Sequence, residues 1–506
     1  MSNQNRSRFA RNAVANWIAF LFSALIGFFL SPFVVEHLGA TRYGVWSLLA
    51  GFVGYLGLLD LGIRQAVNRY IAHHRAVGAH EESSSIVSAA IRLFGLLGIL
   101  AIVFSGVFAY VAPIFFNIPE SLVNDTRLIV VLGGLTVAVT LMGGVFGGVI
   151  TGLERFDVQC YLDILVTTVR AALTVVVLLK GYGLVALSCV QLVASLLNCI
   201  AFWTAARNLY SELRLRFKGV LVAYMRQILS FGASLSVIFL LNAVILHSDA
   251  IIIGAFLPIE SVTFFAIAGS LYMYAREITR ALSYVMTPRV SALTSMGSNK
   301  VAAEILTVAG VGTLVAGPIV ATFLFRGESF ISLWMGPQYG PVSGEVLRVL
   351  AIVALLEASR SVVIQSLTGM AKQRMVIPGL AFEAACKLAL SILLVRQLGI
   401  VGVALGTLVP SVLVNLGFIP RCLSMATGVR VKDFYRKAVV LPTAACVPFV
   451  LASVAIQEYA PATNLAVFFM QVIAILPLVP LAAWFLCLSV TEKEQVRSEI
   501  RKVVGR

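Results

Sequence analysis

The chain has 506 residues, 59% of them hydrophobic and 12% charged, with a formal net charge of +15 and a mean hydropathy of +0.96. Soluble domains carry about 25% charged residues, so this composition excludes a soluble protein and indicates an all-α integral membrane protein. The positive charge is spread over many short loops without an aromatic platform beside it, which argues against nucleic acid and for anionic lipid headgroups as neighbours.

Apolar runs of about 20 residues suffice to cross a hydrocarbon core of about 30 Å. They predict about fourteen transmembrane helices, at 12–36, 43–70, 85–113, 127–152, 157–180, 183–206, 225–250, 257–288, 301–325, 344–370, 374–396, 399–424, 438–457 and 463–489. The first, NWIAFLFSALIGFFLSPFVV, follows the basic MSNQNRSRFARN and is too long for a signal-peptide core, with no small-residue cleavage site after it. The second runs in unbroken helical pattern into LLDLGIRQAVNRYIAHHR at 58–75. There Asp60, Arg64 and Asn68 share one helix face, either as a structural Asp60–Arg64 pair or as part of a polar site. Arg69, His73, His74 and Arg75 mark the interfacial exit, where long side chains snorkel to water.

The fifth helix carries Arg170, and the sixth leads into the basic RNLYSELRLRFKG. In the seventh, LHSDAIIIGAF places Asp249 beside His247 and Ser248, as an interfacial cap or an ion-coupling carboxylate. The eighth carries Arg276, Glu277 and Arg280, its two arginines on one face. The longest outside loop is expected at FRGESFISLWMGPQYGPVSGE, 325–345. Helix ten holds Arg360 with Glu357, and helix eleven holds Lys387. Pro288, Pro318, Pro378 and Pro410 permit bending. Asn242, Gln365 and Asn415 are scattered polar residues able to line a wet cavity.

About 26 of the Lys and Arg residues fall on the N-terminal side, about 6 opposite and about 6 within spans, which makes both termini cytoplasmic by the positive-inside rule. The seven cysteines are unclustered and lack CxxC or His spacing, so neither disulfides nor zinc is expected. No GxSxG, HExxH or phosphate-binding glycine loop occurs, and the outside loops are small. A transporter without a cofactor is therefore expected rather than an enzyme.

An internal repeat joins TGLERF…GYGLVAL at 151–187 with TGMAKQ…LGIVGVAL at 368–405, each with one basic residue inside a span, Arg170 and Lys387. A second joins HLGATRYGVWSLLAG at 37–51 with AFLPIESVTFFAIAG at 255–269. The repeats predict two six-helix bundles around a central cavity, with an N-lobe at 1–215, a C-lobe at 216–430, and helices thirteen and fourteen with a basic tail at 431–506.

LGATRYGVWSLLAGFVGYLGLLDLGIRQAVNRYIA, TGLERFDVQCYLDIL, GYGLVAL, SDAIIIGAFLPIESVTFFAIAGSL and TGMAKQR resemble the polysaccharide transporter family, which includes O-antigen and exopolysaccharide flippases. Its superfamily also contains multidrug extrusion transporters and lipid II flippases. The resemblance implies alternating-access transfer of an undecaprenyl-diphosphate-linked oligosaccharide from the cytoplasmic to the periplasmic leaflet of a bacterial inner membrane, for O-antigen, lipopolysaccharide or exopolysaccharide synthesis. It further implies a polymerase or glycosyltransferase as partner. The coupling ion, H+ or Na+, stays open, as do a cation-coupled drug antiporter and a lipid II flippase as alternatives.

A charge at a helix centre costs about 2.5–3.5 kcal/mol on insertion scales, so the in-span basic residues should face protein or a wet cavity. A diphosphate needs charge-assisted donors, and arginine's planar fork suits its oxygens. Arg64, Arg276 and Arg280 are the first candidates to attract it, followed by Arg170, Arg360 and Lys387, each of which is alternatively a buried ion-pair member. Asp60 and Asp249 are candidates for ion coupling.

Overall fold

The computed structural model describes residues 3–215, 221–284, 286–293, 298–488 and 493–494. The end of the basic 207–219 stretch, the tail beyond 494 and the side chain of Pro288 lie outside them. All regular structure among the described residues is helical. The first half comprises α1 (Asn3–Leu56), α2 (Ile63–Ala76), α3 (His80–Phe115), α4 (Val123–Gly152), α5 (Phe156–Leu179), α6 (Leu184–Leu209) and α7 (Leu221–Phe256). Next come α8 (Glu260–Tyr284), α9 (Met286–Leu293), α10 (Ser298–Met335), α11 (Gly340–Gly369) and α12 (Ile377–Val412). The chain closes with α13 (Ile419–Thr427), α14 (Val431–Phe434), α15 (Leu441–Ala445), α16 (Val447–Tyr459), α17 (Leu465–Ile475) and α18 (Leu478–Leu486).

Ten helical segments among the described residues are long and apolar enough to cross a membrane. Two of them are double. The segment 17–76 breaks at Gly39 (φ 75°) and 373–427 breaks at Gly399 (φ 58°), backbone conformations open to glycine. With α8 and α11, which are of spanning length but carry charges, the architecture is compatible with the expected fourteen spans.

Two sequence expectations are corrected. The second helix is not continuous: a 3-10 turn at Gly57–Asp60, then Leu61 (φ 47°) and Gly62 (φ 71°) in left-handed conformations, separate it from α2. The expected outside loop at 325–345 is mostly helix, because α10 continues to Met335 and α11 begins at Gly340. Arg326 is buried there rather than solvated. Its Nε and Nη2 donate to the side-chain oxygens of Gln457 and Gln471 at 3.1 and 2.5 Å, and its guanidinium lies 4.4 Å from the Phe468 ring centre.

The chain forms two compact units, residues 1–263 and 264–506. In the first, α4 packs on α2, α3 and α6. The glycine face of α4 makes this possible: a Cβ on Gly148 would lie 3.0 Å from the Arg64 carbonyl oxygen. In the second unit, α10 packs along α11 and also against α15 and α16, where Ala321, Cys446, Phe449, Ile475 and Val479 form an apolar core.

The repeats have a local structural counterpart. After Thr151-Gly152 and after Thr368-Gly369, one residue that is not glycine turns left-handed, Glu154 (φ 60°) and Ala371 (φ 57°). The closing hydrogen bonds also match. Arg155 N–H donates to Ile150 O at 3.1 Å, and Lys372 N–H to Leu367 O at 2.8 Å. Beyond these turns, Arg170 and Lys387 stand at the same distance along their repeats.

Candidate functional site

A polar chamber of about 290 Å³ lies within the first unit. Four helices build it. From α2 comes Arg64, and from α4 come Thr140, Gly143 and Gly144. On α5, Gln159, Asp163, Thr167 and Arg170 recur at helical spacing and so share one face. On α6, Gln191, Ser195, Asn198 and Phe202 do the same. Polar groups on a regular stripe of otherwise apolar spans are costly toward lipid and satisfied by a wet interior.

The α1–α2 break positions Arg64. Asp60 accepts a hydrogen bond from the Arg64 backbone N–H at 3.3 Å, so the carboxylate caps the start of α2 and is not closed on the guanidinium. The guanidinium reaches past α4 where Gly147 has no side chain: a Cβ there would lie 3.4 Å from Arg64 Nη2 and 3.2 Å from Phe202. Across the chamber, the Asn198 side-chain amide donates to Asp163 Oδ1 at 3.2 Å, and that carboxylate is within electrostatic reach of Arg64. Arg170 is half-buried, with no carboxylate in ion-pair contact among the described residues. The lining thus holds two guanidiniums, one carboxylate and a ring of amides and hydroxyls, a net single positive charge.

The remaining basic candidates lie in the second unit, mostly in a neutralised network. Arg276 Nε is 3.3 Å from Glu357, whose Oε2 also accepts from the Tyr272 hydroxyl at 2.7 Å. Arg360 Nη1 is 3.8 Å from the same carboxylate and 2.8 Å from Glu383. Two cations and two anions thereby tie α8, α11 and α12 together. Arg280 pairs with Glu277 at 2.8 Å on the more exposed side of α8, and Lys387 is fully buried in α12.

Asp249 is half-buried within α7, where that helix packs on α1: a Cβ on Gly54 would meet the His247 ring. Asn242 and Asn415 donate to carbonyls of their own helices, while Gln365 accepts from Thr287. None of these lines the chamber. The structure thus brings Arg64 and Arg170 together, and Arg276 and Arg360 around one glutamate. Sequence reasoning missed Gln159, Asp163, Gln191 and Asn198, although their helical spacing within apolar spans was the available signal. It also missed Glu383 and Tyr272, whose partners lie on other helices.

A family model described as polysaccharide biosynthesis protein matches residues 9–294. A protein of Shigella flexneri with the provisional name O-antigen transporter is 21% identical over 404 residues, 78% of this chain and 93% of its own length. The uncharacterized membrane protein EpsK of Bacillus subtilis (strain 168) is 20% identical over 455 residues, 87% of this chain and 88% of its own. Among solved structures, the lipid II flippase MurJ in an inward closed conformation matches with a TM-score of 0.72 at 13% identity, over 92% of this chain and 97% of that one. An inward-facing multidrug resistance MATE family transporter of the MOP superfamily matches at 0.62 and 13% identity, over 83% and 96%. At such identities the structural likeness establishes the shared all-α membrane fold.

Proposed function

Because the chain belongs to the polysaccharide biosynthesis protein family, we propose that it is a flippase rather than an enzyme. It moves an undecaprenyl-diphosphate-linked oligosaccharide from the cytoplasmic to the periplasmic leaflet of a bacterial inner membrane, with both termini cytoplasmic. The observation that carries this reading is the chamber: two arginines, one carboxylate and a ring of neutral hydrogen-bonding side chains inside an apolar unit. Such a chamber lets an anionic, hydroxyl-rich headgroup exchange water for protein donors and acceptors while its hydrocarbon tail stays in lipid.

Arg64 and Arg170 are assigned to the headgroup, with Arg280 as a further contact, whereas Arg276, Arg360 and their glutamates hold the second unit together. The moving parts are the segments 1–215 and 216–430, with 431–506 appended. Coupling to H+ or Na+ through Asp60 or Asp249, and cooperation with a polymerase or glycosyltransferase, belong to the same proposal.

The MurJ likeness favours lipid II as a second substrate reading. Purified protein in sealed liposomes distinguishes the readings when offered a fluorescent polyprenyl-diphosphate oligosaccharide, lipid II and a cationic dye side by side. Movement of the oligosaccharide lipid above empty vesicles supports the proposal. Preferential movement of lipid II, or of the dye with both lipids idle, replaces it.

A further inference from the structure

The chamber's donor and acceptor pattern identifies which part of a headgroup it fits. Phosphate oxygens of a diphosphate only accept hydrogen bonds, so a pocket built for them presents donors. Here Asp163 offers acceptor oxygens alone, already accepting from the amides of Asn198 and Gln159, whose own carbonyl oxygens stay as acceptors, and Gln191 offers both acceptor and donors. A carboxylate facing a diphosphate is repulsive, whereas a sugar hydroxyl both donates and accepts and is matched by such a mixed ring. Size points the same way. About 290 Å³ lies just below the roughly 300–1,000 Å³ of ligand pockets, and suits one sugar ring rather than an oligosaccharide.

Charge supplies the remaining element. Arg64 has Asp60 and Asp163 within electrostatic reach, while Arg170, on the same α5 face as Gln159 and Asp163, has no ion-pair partner among the described residues. A half-buried guanidinium with no ion-pair partner among the described residues, beside hydrogen-bonding amides, is suited to a carboxylate, which its planar fork binds in bidentate fashion.

We propose that this chamber recognises a single acidic sugar of the precursor, a hexuronate-type ring with its carboxylate on Arg170 and its hydroxyls on Gln159, Gln191, Asn198 and Asp163. The proposal rests on the transport reading above and narrows its substrate class. The same anionic chemistry could come from the diphosphate, and the test separates the two sources.

Purified full-length protein in detergent is titrated with methyl glucuronide, methyl glucoside and inorganic diphosphate, with the thermal unfolding midpoint as readout. The expected result is a rise with the glucuronide at concentrations about tenfold lower than with the glucoside, the worth of one charge-assisted contact. Diphosphate should produce the smallest shift. Arg170→Gln should bring the two sugars to equal potency and Arg170→Lys should restore part of the difference. Gln191→Ala, which keeps the charge, should weaken both sugars together and preserve their ratio.

Equal potency of the two sugars on the wild type, a larger shift with diphosphate, or no shift with any of the three overturns the proposal, even where the arginine variant fails to fold. Failure of every lipid to move in liposomes overturns the transport reading instead, and leaves the binding comparison to be judged by itself.

Discussion

Arg360 Nη1 lies 2.8 Å from Glu383 Oε2, and both side chains are buried. Removing one member of a buried pair strands the other, at a cost of about 3–5 kcal/mol. Glu357 cannot substitute, since it lies 3.8 Å from Arg360 and already serves Arg276 and Tyr272. Glu383→Gln is therefore expected to lower the unfolding midpoint in detergent sharply, and Glu383→Gln combined with Arg360→Met to lower it less. Unchanged stability of the single variant would contradict the network.

Arg280 provides the contrast. Its pair with Glu277 is a local one along α8, with the arginine 42% exposed, and such pairs contribute within about 1 kcal/mol. Arg280→Ala should leave the unfolding midpoint nearly unchanged, so any loss of transport in that variant reports on substrate rather than on folding.

The two repeat turns predict stabilising substitutions. Glu154 and Ala371 hold left-handed backbone conformations that disfavour residues with a Cβ by roughly 1–2 kcal/mol. Ala371→Gly should raise stability by about 1 kcal/mol after the greater flexibility of glycine in the unfolded chain is offset, and Glu154→Gly by less, because Glu154 has a partner of its own that the change can remove. A fall in stability for both would show that the side chains, and not the backbone, shape these turns.

Gly44 tests the junction between the turn after α1's first segment and the turn before α8. A Cβ there would lie 2.2 Å from the Ile259 carbonyl oxygen. Nearby, Thr41 donates to Glu260 at 2.8 Å and Thr263 to the Ala40 carbonyl at 2.5 Å. Gly44→Val should push these turns apart, and a cysteine pair at Thr41 and Glu260 should then cross-link more slowly than in the Gly44 background. Equal cross-linking rates would place this junction outside the close packing described.

The membrane spans were readable because burial in lipid imposes one requirement, apolarity over a fixed length, and the chain meets it segment by segment. The break at Gly39 falls between two predicted spans, and the break at Gly399 falls at the first residue of the predicted span 399–424, for the same reason. The break at 57–62 was not readable, since LLDLG is apolar on both sides of Asp60 and a left-handed leucine follows no propensity. For the in-span charges, the requirement for partners was legible but not their identities. Sequence places Glu357 on the same helix as Arg360, whereas the nearer carboxylate is Glu383 on α12. Arg170 and Lys387 looked alike in the repeat, yet one lines a chamber and the other is sealed in a helix interface. That difference arises from which helices pack beside them.

The most direct test of the transport reading compares wild-type protein with the Arg64→Ala, Arg170→Ala double variant in sealed liposomes carrying a fluorescent polyprenyl-diphosphate oligosaccharide with an acidic sugar. Loss of two charge-assisted contacts should slow transbilayer movement at least about tenfold, in protein that remains folded and monodisperse. Movement of the lipid at the wild-type rate in that variant would contradict the chamber as the headgroup site.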